Sequence, residues 1–253
     1  MSPQIIKANN PTRPSVVTIL PVLNEEKRIH SLVSGIYKYG AGFVDCVLVV
    51  VDDGTVDLSR EMAASAGAIV LDNGPKRGVG IAIRRGIEFA LQNKIDICAI
   101  MAGDSQDDPK EIPKVIGPLF RGECDFVQGS RYLGGQRTVN MPFSRTFLTR
   151  LYTLGFRLVS GFPATDASNG FRAFYIKIIR EINLWQPSLD KYALENYLYA
   201  QVVKNGFKIK EVPVTKKFDR ALGYSHMIVW KDNSFWAVIK GRVTPNSQVE
   251  NRH

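Results

Sequence analysis

Carboxylates gather at three places in this chain, and each place follows an apolar run. Asp52 and Asp53 follow residues 46–51. Asp104, with Gln106, Asp107 and Asp108 close behind, follows residues 95–101, a run broken only by Asp96. Glu25 and Glu26 follow residues 15–20 across Pro21 and Asn24. An apolar run that stops at a Gly-Asp turn is how a buried parallel strand delivers carboxylates to the carboxyl edge of a sheet, where open α/β folds bind ligands. Adjacent carboxylates there need hydrogen-bond donors or a cation to offset lost hydration. The chemistry this favours is binding of a divalent metal and a polar ligand, and Asp104 is the residue expected to hold the metal. The loop DNGPKRGVG, residues 72–80, adds Lys76, Arg77, Gly78 and Gly80 ahead of a helical pattern carrying Ile83, Ile87 and Ala90. Its cations and backbone amides suit phosphate at a helix N-terminus, although it is neither a Walker loop nor a GxGxxG fingerprint.

The elements that must position these groups follow from periodicity. Strands are expected at 15–20, 46–51, 68–71 and 95–101, alternating with helical patterns after residue 29, over 58–66 and after residue 80. Asn24 is placed to cap the first helix, with Glu25 and Glu26 in its first turn. Asp108 and Pro109 read as the start of another. Strict alternation implies a parallel sheet with right-handed crossovers, so the three polar turns share one edge. Further on, a strand over 125–128 leads into GSRYLGGQR, a glycine-rich stretch suited to a mobile flap over a ligand or to a plain surface loop. Residues 143–159 put Phe147, Leu151, Leu154 and Leu158 on one helical face and carry Arg145, Arg150 and Arg157. That pattern fits either a core helix or one lying in a membrane interface. TDASNGFRAF, residues 165–174, reads as a polar turn into a short strand. Its Asp166 is the strongest carboxylate outside the acidic turns for work at a reacting centre, with Glu195, in a helical stretch over 191–203, the second.

Composition bounds the partners. The chain has 253 residues, 45% of them hydrophobic, and a formal net charge of +9, which favours anionic partners. Residues 204–242 hold nine Lys or Arg against three Asp or Glu, interleaved with Tyr224, Met227, Trp230, Phe235 and Trp236. Cations alternating with aromatic and aliphatic residues suit a segment lying on an anionic bilayer, with a helix docked on the core as the other reading. Three cysteines without metal-site spacing read as buried free thiols in a reducing compartment. No signal peptide or membrane span is evident, so any membrane contact is expected to be peripheral, at the cytoplasmic face. No nucleic-acid recognition motif accompanies the basic charge, and nucleic acid is not expected as a partner. The expected organisation is a flexible lead over 1–14, one α/β domain over 15–242 that ends in a basic amphipathic segment from 216, and a disordered tail over 243–253.

PVLNEE, VVVDDGTVD, GVGIAIRRG and MAGDSQDDP, in this order, resemble the inverting family 2 glycosyltransferases of GT-A fold, in particular the dolichyl-phosphate mannose or glucose synthase branch. GSRY at 129–132, TDASNGFRAF, Glu195, GFKIKEVPV at 206–214 and RALGYS at 220–225 extend the match over nearly the whole chain. The resemblance implies a GT-A fold, with a mostly parallel sheet flanked by helices. It places Pro21, Asn24, Glu25, Asp52 and Asp53 around the nucleoside of a UDP- or GDP-sugar and Arg77, Gly78 and Gly80 near its phosphates. Asp104 and Gln106 match positions that hold Mg²⁺ or Mn²⁺. Arg131, Arg220 and Ser225 match contacts to phosphates of donor or acceptor. The chain departs from the pattern at Ala102, where these synthases carry the first aspartate of Asp-x-Asp. Loss of one ligand from an octahedral oxygen site weakens metal binding without abolishing it, because Mg²⁺ keeps waters and takes diphosphate oxygens.

Inverting transfer needs a neutralised leaving diphosphate and a nucleophile on the opposite face of the anomeric carbon. A hydroxyl acceptor requires a carboxylate base. A polyprenyl phosphate is already an anion and requires only orientation, for which Asp166 is the expected residue. The many cations favour the polyprenyl phosphate. A transferase acting on a glycan or small-molecule hydroxyl through Asp166 or Glu195 is the alternative, and a non-catalytic nucleotide-sugar binder, disarmed at Ala102, is a third reading.

Overall fold

The computed structural model describes residues 13–218 except 53, 75–77 and 136–137. Most of the expected lead, the basic segment beyond Phe218, the tail, and Asp53, Lys76, Arg77, Arg220 and Ser225 lie outside the described residues.

Residues rich in Val, Ile and Leu form β1 (Val16–Val22), β2 (Cys46–Val51), β3 (Ile69–Asp72) and β4 (Ile97–Ile100), all paired in parallel. Helices α1 (Ile29–Tyr39), α2 (Ser59–Ser65) and α3 (Val79–Gln92) make the crossovers, and α4 (Ile112–Phe120) follows β4 after a 3-10 turn over Pro109–Glu111. Asp108 caps that turn by accepting from the Lys110 amide, with Pro109 at its first position as the sequence implied. The second half contributes β5 (Phe126–Ser130), α5 (Phe143–Ser160), β6 (Arg172–Tyr175), α6 (Ala193–Lys204) and β7 (Ile209–Pro213).

The seven strands form one sheet in the order β3-β2-β1-β4-β6-β5-β7. The parallel expectation holds through β4. β6 then runs antiparallel to both β4 and β5, while β7 returns parallel to β5. β1 has β2 on one side and β4 on the other, so the direction of sheet growth reverses beside β1. This opens a crevice at the carboxyl ends of β1 and β4, the usual ligand position in such sheets.

Both faces of the sheet are covered, which explains why β2 is apolar at every position. Ile83, Ile87, Tyr152, Phe156 and Leu198, from α3, α5 and α6, pack on one face. Leu32, Val33, Ile36, Val115 and Ile116, from α1 and α4, pack on the other. Tyr199 anchors the first layer, stacking on Phe126 at 5.4 Å and Phe156 at 4.8 Å between ring centroids.

Helix α5 corrects the core-helix expectation. Its apolar stripe faces outward: Phe147, Leu151, Leu154 and Leu158 are 57, 41, 49 and 75% exposed. Thr149, Tyr152, Thr153 and Phe156 form the buried side. Threonines can occupy that side because their hydroxyls bond back to the preceding turn, Thr149 to the Arg145 carbonyl at 3.0 Å and Thr153 to the Thr149 carbonyl at 2.9 Å.

Candidate active site

A cavity opens at the carboxyl ends of β1 and β4. Pro21, Ile100, Ala102, Asp104 and Gln106 line its sheet side, with Val79 from the start of α3. Arg131, Ser168 and Gly170 form its back, and Arg145 and Thr149 present α5. Tyr192, Glu195 and Lys216 complete it.

The acidic turn is built by close packing. A Cβ on Gly103 would stand 2.6 Å from Val22 Cγ2 and 2.7 Å from the Pro21 carbonyl oxygen, so only glycine lets this turn lie on β1. Ser105 then takes a left-handed conformation, φ 57°. The Arg28 guanidinium donates to the Asp104 carbonyl at 2.8 Å, and the Gln106 amide donates to Asp104 Oδ1 at 3.1 Å. Burial raises the Asp104 pKa, and the nearby Asp107 adds to this against the opposing pull of Lys216. Gln106 is 5% exposed, and its Oε1 has no hydrogen-bond partner among the described residues. A buried carboxylate under charge strain beside an orphaned amide oxygen is a donor set that fits a hard divalent cation. It is a thin set, because Ala102 contributes no oxygen. Among the described residues no group of three His, Cys, Asp or Glu side chains is placed to hold a metal.

The residues expected around the nucleoside separate into two kinds. Pro21 lines the cavity. Asn24 does not cap α1, which begins at Ile29 after a turn in which the Arg28 and Ile29 amides donate to the Glu25 carbonyl. With φ 54°, Asn24 instead accepts the Val56 amide at 2.9 Å and holds the loop after β2. The Glu25 carboxylate pairs with Arg28 at 3.1 Å. Burial lifts its pKa to about 7; Arg28 opposes this, while Asp104 and Asp57 reinforce it. Asp52 accepts the Gly54 amide on one oxygen and the Gly78 amide on the other, each at 2.9 Å, and so ties the tip of β2 to the start of α3. Gly80 is required by packing, since a Cβ there would collide with the carbonyl oxygens of Leu189 and Lys191. In this arrangement Asp52, Gly78 and Gly80 build the loop, and neither glycine is among the residues lining the cavity.

Arg131 and Asp166 meet in one buried ion pair. Asp166 is 0% exposed and accepts Arg131 Nε at 2.6 Å, Nη2 at 2.8 Å and the backbone amide at 3.0 Å. Ser168 adds a bond to each partner. Burial alone would raise the Asp166 pKa, but the guanidinium overrides it and holds the carboxyl below its ordinary value. A carboxylate bound this closely is a poor proton acceptor, which corrects the expectation that Asp166 could serve as a base. It orients Arg131 toward the cavity.

Glu195 reaches the cavity from α6 and lies against Gly170, where a Cβ would be 2.7 Å from Oε1. Arg172, fully buried, donates to the carbonyls of Asn169, Gly170 and Glu195 and fixes the TDASNG turn to α6. Arg145, Thr149, Tyr192 and Lys216 escaped sequence reasoning. Only Arg145 carried a signal, as a cation on the side of α5 opposite its apolar stripe; Lys216 lies in VTKKFD, where nothing distinguishes it from a surface lysine.

The family model described as Glycosyl transferase family 2 matches residues 17–182. The chain belongs to glycosyltransferase family 2. Among relatives of this transferase, the undecaprenyl-phosphate mannosyltransferase of Micrococcus luteus is 30% identical, the match covering 84% of this chain and 87% of the relative. The polyprenol monophosphomannose synthase of Mycolicibacterium smegmatis is 28% identical, with 86% of this chain and 82% of that protein covered. Among solved structures, glucosyl-3-phosphoglycerate synthase from Mycobacterium tuberculosis, in complex with Mn²⁺, UDP-glucose and phosphoglyceric acid, matches with a TM-score of 0.71 at 20% identity, over 93% of this chain and 82% of that one. The shared architecture is the GT-A fold, as the motifs implied.

Proposed function

We propose that this glycosyltransferase moves a hexose from a UDP- or GDP-sugar to a polyprenyl phosphate, working peripherally at the cytoplasmic face of an anionic membrane. The observation that carries the reading is the two-sidedness of α5: Arg145 and Thr149 line the cavity, while the outward stripe of Phe147, Leu151, Leu154 and Leu158 stands in solvent, flanked by exposed Arg150 and Arg157. One helix thus meets a phosphate on one side and an acyl boundary on the other. Relatives named for polyprenol and undecaprenyl phosphate support the acceptor class. No helix among the described residues is long and apolar enough to cross a membrane, and the buried free thiols Cys46, Cys98 and Cys124 suit a reducing compartment.

Asp104 and Gln106 would hold Mg²⁺ or Mn²⁺, which supplies charge neutralisation for the departing diphosphate. Arg131, aimed by Asp166, adds a fixed cation at the cavity wall. Pro21 and Glu25 bound the nucleoside side, and Asp53, Arg77, Arg220 and Ser225 keep the donor and acceptor roles the resemblance implies. An acceptor phosphate oxygen attacks the anomeric carbon as the bond to the diphosphate breaks, with inversion. The nucleophile is already an anion, so no base is consumed. Glu195 favours one second reading, because its carboxylate faces the cavity and could deprotonate a hydroxyl acceptor.

The deciding experiment offers labelled UDP- and GDP-hexoses with polyprenyl phosphate and Mg²⁺ or Mn²⁺, and follows label into organic solvent. Organic-phase product retained by Glu195→Gln and lost by Asp104→Ala is the expected result. Label transferred only to water-soluble hydroxyl acceptors, with Glu195→Gln inactive, would replace this reading with the second.

A further inference from the structure

Lys216 is 9% exposed, an unusual position for a lysine, and among the described residues it pairs with Asp107. Its backbone is fixed on both sides. The Thr215 amide donates to Glu111 at 2.7 Å, the Lys217 amide donates to the Gln106 carbonyl at 2.8 Å, and the Lys216 carbonyl accepts the Val139 amide at 3.0 Å. Residues 215–218 therefore form a strap across the acidic turn, with Lys216 bridged to Asp107. The strap delivers the ammonium to the cavity wall beside Asp104 and Gln106.

The ammonium has two possible tasks there, to neutralise the acidic turn at Asp107 and the nearby Asp104, or to bind an anion in the cavity. Its distances to Asp107 are 3.3 and 3.5 Å, long for a charge-assisted bond, which runs to about 2.7–2.9 Å. Among the described residues Asp107 Oδ1 has no hydrogen-bond partner beyond that loose ion pair. An ammonium with three donors is thus only loosely engaged by Asp107 and retains bonding capacity toward the cavity. The same site has no side-chain oxygen at Ala102, which leaves a dication fewer ligands, while Lys216 places a monocation at the cavity wall.

We propose that Lys216 binds the leaving diphosphate directly, taking over part of the neutralisation that a second carboxylate at position 102 would assign to a metal ion. This rests on the reading of the cavity as a nucleoside-diphosphate-sugar site. Nucleotide binding by this chain then persists when divalent cations are removed.

The test is calorimetric titration of the full chain with UDP and with GDP, in Mg²⁺ and in EDTA, for wild type, Lys216→Met, Lys216→Arg and the double variant Lys216→Met with Asp107→Asn. Circular dichroism melts confirm that each is folded. Wild type is expected to bind one nucleotide in EDTA within about tenfold of its affinity in Mg²⁺. Lys216→Met weakens EDTA binding by about tenfold to a hundredfold and Lys216→Arg largely retains it, the range expected for a charged hydrogen bond. The double variant stays weak, because the lost contact is to phosphate. Recovery of wild-type binding in the double variant would show that Lys216 only neutralises Asp107, and would overturn the proposal. Binding that requires Mg²⁺ and ignores Lys216→Met overturns it too, while leaving the donor site intact. If neither nucleotide binds in either condition, the donor reading falls and this inference with it.

Discussion

The two halves of the sheet build their share of the cavity by different means. On the β1–β4 side, parallel strands end together, and the backbone itself carries Pro21, Ala102 and Asp104 to the edge. On the β5–β7 side the cavity residues come from separate connections, and buried polar pairs hold them in place. Asp166 holds Arg131, Arg172 holds the turn before β6 against α6, and Glu111 holds the strap that carries Lys216. Glu211 from β7 repeats the device by accepting the Thr165 amide at 2.9 Å and its hydroxyl. The first half positions its chemistry by topology, whereas the second depends on charges whose removal leaves a partner buried and unpaired. Damage in the second half should therefore appear as instability before it appears as lost chemistry.

Asp166→Asn should produce the largest effect. It strands the Arg131 guanidinium at 4% exposure, and breaking such a pair costs about 3–5 kcal/mol. The urea midpoint should fall accordingly, with the loss present in the absence of any ligand. Asp104→Asn, in the other half, should leave the midpoint unchanged or raise it, because burial already disfavours the charged form there. Turnover in the same variant should fall by about a hundredfold or more, the scale of losing one electrostatic contributor to a leaving-group site. Equal destabilisation by the two substitutions would erase the distinction between the halves.

The same division explains what could be read from the chain alone. Apolar runs ending in acidic turns made the β1–β4 half legible, down to the place of Asp104 after β4, because strand direction and turn chemistry are local properties, whereas Gln106 was marked only by the family resemblance. The order of strands beyond β4 was not legible, since the antiparallel insertion of β6 depends on the path that α5 takes. Asn24 and Asp52 were found as polar residues in the right turns, but their hydrogen bonds cross to Val56 and Gly78, and no local pattern encodes those partners. Asp166 was singled out as an orienting group or, in the alternative, a base, yet its partner Arg131 is 35 positions away, and it is that pairing which argues against the base. The pattern of α5 left its stripe open to a core or an interfacial reading, because threonines that bond their own helix count as polar in any periodicity.

That stripe allows the halves to be compared at a single helix. Leu151→Ser with Leu158→Ser should barely change stability, since both side chains are already exposed. Binding to vesicles containing anionic lipid should drop by about tenfold, in line with the apolar area withdrawn from the interface. Phe156→Ala, one turn away on the buried face, should instead cost about 3–5 kcal/mol of folding stability. Vesicle sedimentation and thermal melts on the same samples separate the two, and vesicle binding unchanged in the double serine variant would remove α5 from the membrane contact.

The smallest expected effect lies in the topological half, at Glu25. Its carboxyl titrates near 4.5 when free but is raised to about 7 in the folded chain, where burial outweighs the attraction of Arg28. The folded state therefore binds more protons than the unfolded state between these values, and the contribution of Glu25 to stability falls as pH rises through that window. Because the group is only partly buried, the loss should be about 1–2 kcal/mol after allowance for solvent screening. Glu25→Gln removes the titration, so the variant should match wild type at the acid end and exceed it above pH 7. Urea midpoints measured across the window test this. A wild-type profile that rises with pH would mean that Arg28 dominates the site and that Glu25 stands ionised beside the Asp104 turn.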